Sequence, residues 1–402
     1  MGEIRNLRYE ELDDLYRLHQ FSFQYVLSKE DLAARRANAK TEWLWGNFEG
    51  NTLTSAAVTI PLQVFIRGQA HRMSGVAGVA TWPEYRRTGK VEALLVHCLK
   101  MMKERGEAVS MLAPFSFPFY RKFGWEMMTE LKHYTISGEQ LSPVLRWKCA
   151  GSYERVDAAK EWPLLNRMYG EFARRYNGML VRDEHWWKTS VLRRKTGHTV
   201  VYRSEAGTPA GYLIYSVEKK TMSVKELVWL DEEARTALWR FIANHDSMVN
   251  EVKATVPASD RLPFLLSDPR IKQEIEPYFM FRVVDVESFA GQLAFASNYE
   301  GKLGLTIEDP YAPWNVGSYV WQVKDGRAIL LERGAADDQR IRASHAEAAW
   351  LECGIQEFSA IALGAEKPAL LHQTGRLGAS DEAVKAWSEA LPAEETFLLD
   401  FF

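Results

Sequence analysis

Cysteine is scarce in this chain, and so are the usual signatures of metal, thiol and nucleotide chemistry. Only three cysteines occur in 402 residues, Cys98, Cys149 and Cys353, odd in number and far apart. They supply neither metal-ligand spacing nor a disulfide framework, which points to a reducing compartment. No run approaches the roughly 18 consecutive apolar residues of a membrane helix. The opening MGEIRNLRYEELDDLY is charged throughout and lacks the apolar region of a signal peptide. A cytoplasmic protein without membrane contact is expected. The formal net charge is −3, so no global basic field argues for nucleic acid. HExxH, CxxC, GxSxG and Walker A patterns are missing. The nine histidines are scattered, and His71 in a strand and His97 in mid-helix read as structural. No metal is expected.

What is present is an ordinary globular composition, 47% hydrophobic and 26% charged, long enough for two or three domains. One stretch, Ser74 to Glu126, carries chemistry. A strand-like run, Val76 to Trp82, stops at Pro83 and is followed by the basic turn Arg86-Arg87-Thr88-Gly89-Lys90. Val91, Leu94, Leu95, Cys98, Leu99 and Met102 then recur at helical spacing, and Gly106 closes the helix. A second strand, Ala108 to Ala113, leads into an aromatic loop containing Tyr120. A strand, a glycine-bearing basic turn and a helix start make an anion site, because turn N–H groups and the helix dipole converge where three cations gather. Tyr120 is either a core aromatic or a general acid; its ordinary pKa of about 10 keeps it protonated at neutral pH.

Along the chain, helices are expected over Tyr9 to Phe23 and Ser28 to Ala39, then strands Leu53 to Pro61, Leu62 to Arg67 and His71 to Ala80. A last strand of this unit is expected over about Met127 to Ile136, and residues 137–155 break the pattern. The next segment repeats the outline. Helices near Trp162 to Tyr176 and in RDEHWWKTSVLRRK precede strands Thr199 to Arg203, Gly211 to Val217 and Met222 to Leu230, a helix Asp231 to Val249 and a strand Val252 to Val256. An internal duplication is implied. The second copy has Leu230-Asp231-Glu232-Glu233 where the first has its basic turn, and acids without a glycine would repel a phosphate. Past Asp285 a small α+β unit is expected, with an Asp325-Gly326 hairpin and short helices at Ser344 to Glu352 and Asp381 to Leu391. The chain ends Thr396-Phe-Leu-Leu-Asp-Phe-Phe402, apolar to its last residue. Such an end is either an edge strand of the last domain or a terminus delivered, α-carboxylate included, to an interior place.

Arg86-x-x-Gly89-x-Val91 between strand and helix resembles the cofactor motif of the GCN5-related N-acetyltransferase (GNAT) superfamily. Arg182 to Trp187, Ala237 to Met248, Leu262 to Asp268, Arg282 to Asp285 and the aromatic terminus resemble the enhanced intracellular survival (Eis) branch along nearly the whole chain. The resemblance implies an α/β (α+β) fold: tandem GNAT folds, mixed twisted sheets flanked by helices, then a sterol-carrier-protein-like α+β domain. It implies a catalytic GNAT domain at 1–145, a degenerate second one at 146–284 and a sterol-carrier-like domain at 285–402. Acetyl-CoA is the implied co-substrate. Val79, Ala80 and Thr81 would hold pantetheine and thioester, and Arg87, Thr88, Gly89, Lys90, Val91 and Glu92 would wrap the pyrophosphate. Phe115 and Ser116 would border the pantetheine arm. Tyr120 matches the family's general acid, and Phe402 matches the terminal residue whose α-carboxylate serves as base. Val91 departs from the usual Gly or Ala, and Phe401 from an acid. The acceptor implied is a polycation such as an aminoglycoside, with Glu30, Asp31 and Asp400 as candidate contacts. Protein-lysine or polyamine acetylation is the alternative, and a lipid- or small-molecule-binding protein with a relic GNAT domain is the rival from another class. The family also implies a homo-oligomer, a hexamer.

Overall fold

The computed structural model describes residues 2–402. The first unit runs β1 (Glu3–Asn6), α1 (Leu12–Phe23), α2 (Lys29–Ala37), β2 (Leu44–Glu49), β3 (Thr52–Ile66), β4 (Gln69–Thr81), α3 (Lys90–Glu104), β5 (Val109–Leu112), α4 (Phe117–Lys122), β6 (Glu126–Met127) and β7 (Glu130–Ser137). The second runs β8 (Ser152–Val156), α5 (Ala158–Ala173), α6 (184–194), β9 (His198–Arg203), β10 (Pro209–Glu218), β11 (Thr221–Trp229), α7 (Glu232–Ala243), β12 (Glu251–Pro257), β13 (Lys272–Pro277) and β14 (Met280–Val283). The third contains α8 (Val286–Gln292), β15 (Gly301–Glu308), β16 (Gly317–Lys324), β17 (Arg327–Gly334), α9 (Gln339–Ser344), β18 (Ala349–Gly354), α10 (Ile355–Leu363), β19 (Gly378–Ala379) and α11 (Asp381–Ala390).

Three sheets result, in the orders β1-β2-β3-β4-β5-β14-β6, β13-β7-β12-β11-β10-β9-β8 and β17-β16-β15-β18-β19. The first two exchange strands. The closing strand expected at about Met127 to Ile136 does not stay in the first sheet. Its start, β6, does, but β7 crosses to pair with β12 and β13 in the second. In return β14 inserts between β5 and β6. Residues 126–137 and 272–283 therefore form one antiparallel ribbon in a single register, from Glu126↔Phe281 to Thr135↔Lys272. Met128 N–H to the Phe279 carbonyl at 2.9 Å and Tyr278 N–H to the Thr129 carbonyl at 3.0 Å continue it across the crossing. Strand alternation in a sequence fixes which face is buried but not which neighbour is chosen, so this exchange was invisible there.

Two further expectations change. The two strands expected over Leu53 to Pro61 and Leu62 to Arg67 are one long strand, β3 (Thr52–Ile66), because Pro61 pairs with Ser74 of β4 beyond the last β2 pair, Leu44↔Val58, where its missing N–H removes no ladder bond. The helix expected at Ser344 to Glu352 is instead the end of α9 followed by β18, drawn into the sheet by parallel pairing with β15. The Asp325-Gly326 turn forms as expected, with φ of 51° and 75° at its centre.

α3 lies on one face of the first sheet, burying Leu94, Leu95, Cys98, Leu99 and Met102 against Trp45, Ala57, Val76 and Leu112. The opposite face, with Val64, Ile66, Met73 and Met111, packs on the third domain. The end of the chain is not an edge strand. Phe397, Leu398 and Asp400 are buried without regular structure, and Phe402 is 9% exposed. Phe397 joins the core of the second unit, and Leu398 and Phe402 join the core between the first and third.

α1 buries Leu12, Leu15, Leu18 and His19. His19 Nε2 lies 2.9 Å from the Gly78 carbonyl, and burial lowers its pKa from about 6.5 to about 4. The ring is therefore neutral near pH 7 and donates Nε2–H to that carbonyl. The unfolded chain protonates His19 below pH 6.5, but the folded chain resists to about pH 4. Stability should fall as pH drops through that window, by about 3 kcal/mol. His19→Asn should flatten this part of the profile; parallel losses for both proteins in urea unfolding at pH 7 and pH 4.5 would contradict it. The strand exchange predicts that a fragment ending at residue 145 shows no cooperative thermal transition by circular dichroism. It leaves β5 unpaired on its β14 side and β7 without a sheet.

Candidate active site

The site begins with a defect in β4. Pairing with β3 jumps from Val58↔Ala77 to Ala56↔Ala80, so β4 carries an extra residue in a bulge at Gly78 and Val79. Gly78 has φ +57°, a conformation glycine adopts without strain. On the other side, parallel pairing with β5 ends at Val76↔Leu112. Beyond it the two strands separate, and the β4 edge from Val79 to Thr81 is free of ladder bonds to β5. The same two causes, bulge and lost pairing, open a cleft between the strand ends.

One limb of the cleft, about 760 Å³, runs over the basic turn. Nine of the eleven expected cofactor residues line it: Val79, Ala80, Thr81, Arg87, Gly89, Lys90, Val91, Glu92 and Phe115. The other two do not. Thr88 turns its hydroxyl to the Tyr85 carbonyl at 2.6 Å, and Ser116 caps α4 by accepting from Phe119 N–H at 3.4 Å. Gly89 is the N-cap of α3, with φ +78° and open space where a side chain would stand, so the first N–H groups of the helix are uncovered. Lys90 pairs with Glu49, and Lys122 with Glu92 at 2.6 Å. Arg87 has no ion-pair partner among the described residues. The second copy differs at this point. Its Asp231 side chain accepts from Ala234 N–H at 2.7 Å and caps α7 with the chain's own carboxylate. Arg175 also fills the adjoining strand end, donating to the Trp229 and Leu230 carbonyls at 2.8 and 2.7 Å.

The other limb, about 660 Å³, meets the first at Phe23, Val79 and Phe115 and is bordered by Tyr120 and Phe402. Tyr120 is 3% exposed, its ring 5.3 Å from Phe115 and 5.1 Å from Phe119, and burial pushes its phenol pKa further above the ordinary value. The Phe402 ring lies against Gly75, where an added Cβ would come within 2.7 Å of it, and 4.9 Å from the Phe279 ring. Glycine at 75 thus leaves the space in which the last side chain sits. The tail's ion pairs end with Asp400, and the Phe402 α-carboxylate makes none among the described residues.

The acceptor-side candidates divide. Asp31 borders this limb; Glu30 does not. Asp400 is a correction. Strand alternation would have aimed it with Phe402, but the tail is not a strand, and its carboxylate faces Arg182, Trp186 and Tyr169 in the interior. Several bordering residues escaped sequence reasoning: His19, Arg35, Lys40, His185, Thr189 and Arg193. His185, Thr189 and Arg193 share a face of α6 at intervals of four residues. That spacing was legible, but the helix belongs to the second copy, and only the tertiary fold brings it over the first.

Family models for an acetyltransferase (GNAT) domain match residues 3–128 and 178–283, and one for a sterol carrier protein domain matches 286–399. An uncharacterized N-acetyltransferase of Streptomyces griseus is 25% identical over 400 residues, covering 90% of each chain. N-acetyltransferase Eis of Mycobacterium tuberculosis is 23% identical, covering 87% of this chain and 86% of its own. A conserved Enterococcus faecalis protein described as a probable N-acyltransferase superposes over the full length of both chains with a TM-score of 0.89 at 28% identity. Eis1 of Mycobacterium abscessus shares the fold, with a TM-score of 0.82 at 20% identity over the whole of both chains. The uncapped basic turn, its self-capped counterpart and the sterol-carrier unit agree with these matches: the chain belongs to the GNAT acetyltransferases, is built of two GNAT domains followed by a sterol carrier protein domain, and is similar along most of its length to the Eis proteins.

Proposed function

We propose that this protein moves the acetyl group of acetyl-CoA to a primary amine, with Tyr120 as general acid and the Phe402 α-carboxylate as general base. The observation that carries the proposal is that one cleft joins the uncapped α3 turn to a chamber bordered by both residues, Tyr120 and Phe402. The pyrophosphate would lie at the α3 N-terminus beside Arg87 and Lys90, and the pantetheine along Val79 to Thr81. The thioester would then reach the junction of the two limbs. There the Phe402 carboxylate takes a proton from the ammonium, and the amine attacks the thioester carbon. Unpaired N–H groups of the β4 edge stabilise the oxyanion. Tyr120 gives its proton to the departing thiolate and is kept protonated for that step by burial. Holding both substrates in one cleft supplies orientation.

The charges around the chamber favour an acceptor with one ammonium over an aminoglycoside-like polycation. Asp31 supplies a side-chain carboxylate, and the proposed base would add the terminal one, against Arg35, Lys40 and Arg193, none of which has an ion-pair partner among the described residues. A lysine side chain or an arylalkylamine brings one positive charge on an apolar stem and suits the Tyr16, Phe23 and Trp43 lining. A polycation would place its remaining charges among like charges, which repel it at the rim.

Tyr120→Phe should keep calorimetric affinity for acetyl-CoA and lose kcat on the order of 10²-fold. A short peptide added after Phe402 should do the same by displacing the carboxylate, and undiminished turnover would remove the terminal base from the scheme. Among acceptors, phenethylamine and a lysine peptide should exceed kanamycin and spermidine in kcat/KM. Added salt should narrow the gap, because it screens the rim cations. A tenfold lead for kanamycin at low salt would restore the polycation reading.

A further inference from the structure

The residues just before the terminus are held by a part of the chain that the proposed chemistry does not use. Arg182, whose side chain is fully buried, donates both terminal nitrogens to Glu226 at 2.8 Å each. Its Nε donates to the Asp400 carboxylate at 3.0 and 3.1 Å. Trp186 Nε1 adds a bond to Asp400 at 2.9 Å, and the Tyr169 hydroxyl another at 3.2 Å. Lys195 pairs with Glu226 and donates to the Leu399 carbonyl at 2.8 Å. The Tyr278 hydroxyl donates to the Asp400 carbonyl at 3.0 Å. Arg182, Glu226 and Asp400 are buried and Lys195 closes the cluster from a half-buried position, so no charge is left over, the condition under which ion burial is tolerated and the removal of one partner is severe.

The location of this cluster is informative. In β4, parallel pairing ends at Val76 and the bulge at Gly78 follows. In β11, parallel pairing ends at Val224↔Ala254, and a bulge follows as the register with β10 shifts between Ile214 and Tyr215. Glu226, two residues past Val224, stands in the second sheet where Gly78 stands in the first. The place that opens the first copy's cleft is occupied in the second by the carboxylate that anchors Arg182.

We propose that Arg182, Glu226, Asp400 and Trp186 form a positioning device that aims the Phe402 carboxylate at the amine. The second GNAT copy, which caps its own cofactor turn, would then serve the first by holding the end of the chain. This rests on the reading of that carboxylate as base. Two residues span at most about 7 Å, so fixing Asp400 restricts the terminus to a small volume. Trp186 bonds Asp400 and also meets the Phe402 ring edge-on at 6.4 Å, so it touches both ends of that span. The terminal carboxylate, without an ion pair of its own among the described residues, takes its position from its neighbours.

The test separates aiming a base from holding up a fold. A base is needed for an alkylammonium acceptor such as phenethylamine. It is not needed for O-benzylhydroxylamine, which is uncharged at neutral pH. Asp400→Asn and Trp186→Phe should each lower kcat for phenethylamine at pH 7 at least tenfold more than kcat for O-benzylhydroxylamine. The deficit should shrink as pH rises, and calorimetric affinity for acetyl-CoA should stay within twofold. In a chain extended beyond Phe402, Asp400→Asn should cost less than a further twofold, since both changes disable one element. Thermal unfolding checks that each variant folds; if Asp400→Asn does not, Trp186→Phe decides. Equal losses on the two acceptors, or additive losses in the extended chain, would overturn the positioning role while leaving acetyl transfer standing. Failure of the unaltered chain to acetylate either acceptor would overturn the enzyme reading and the positioning role with it.

Discussion

A single antiparallel register, carried from Glu126↔Phe281 to Thr135↔Lys272, makes the two GNAT units one body. Each sheet takes an interior strand from the other unit's sequence, β14 between β5 and β6, and β7 between β13 and β12. Moving one unit against the other would break ladder bonds in both sheets, and buried backbone groups cannot be left unpaired cheaply. The distance between the basic turn on the first sheet and the buried cluster on the second is fixed by this ribbon. The chain's end spans that distance, with Phe397 in the second unit's core and Phe402 against Gly75 of β4.

Charge is handled in two opposite ways. Inside, it is neutralised. Arg182 and Lys195 meet Glu226 and Asp400, and Arg282, itself fully buried, meets Asp309 at 2.6 Å. Around the cleft it is left available. Arg87 at the basic turn and Arg35, Lys40 and Arg193 at the limb bordered by Tyr120 and Phe402 lack carboxylate partners among the described residues. Unpaired cations are affordable only where water reaches them, and all four are exposed. The duplicate turns show the same contrast: Gly89 leaves a helix N-terminus uncovered, and Asp231 covers the other with the chain's own carboxylate.

Much of this was legible in local sequence. The strand, basic turn and helix from Val76 to Gly106, the repeated order of elements and the acid turn at Asp231 were all readable from spacing and residue type, because helix periodicity, capping and turn chemistry act over a few residues. The errors share one cause. Asp400 was aimed by strand alternation in a tail that forms no strand, Ser344 to Glu352 was read as helix where pairing with β15 makes residues 349–354 a strand, and Met127 to Ile136 was kept in its own unit. Each outcome depends on a partner far away in the chain.

The sequence alone determined that a glycine-bearing basic turn, Arg86 to Lys90, opens a helix, that the second copy has an acidic turn in its place, and that an apolar end had to be buried somewhere, since apolar area leaves water whatever covers it. The tertiary structure alone decided what covers that end and what faces it. Tyr120 and Phe402 border one chamber because a ribbon of exchanged strands sets two sheets at one spacing. Asp400 turns inward because Arg182, Trp186 and Tyr169 together satisfy its carboxylate. Those contacts join residues more than 200 positions apart, and no local pattern specifies which of many acids a buried arginine meets.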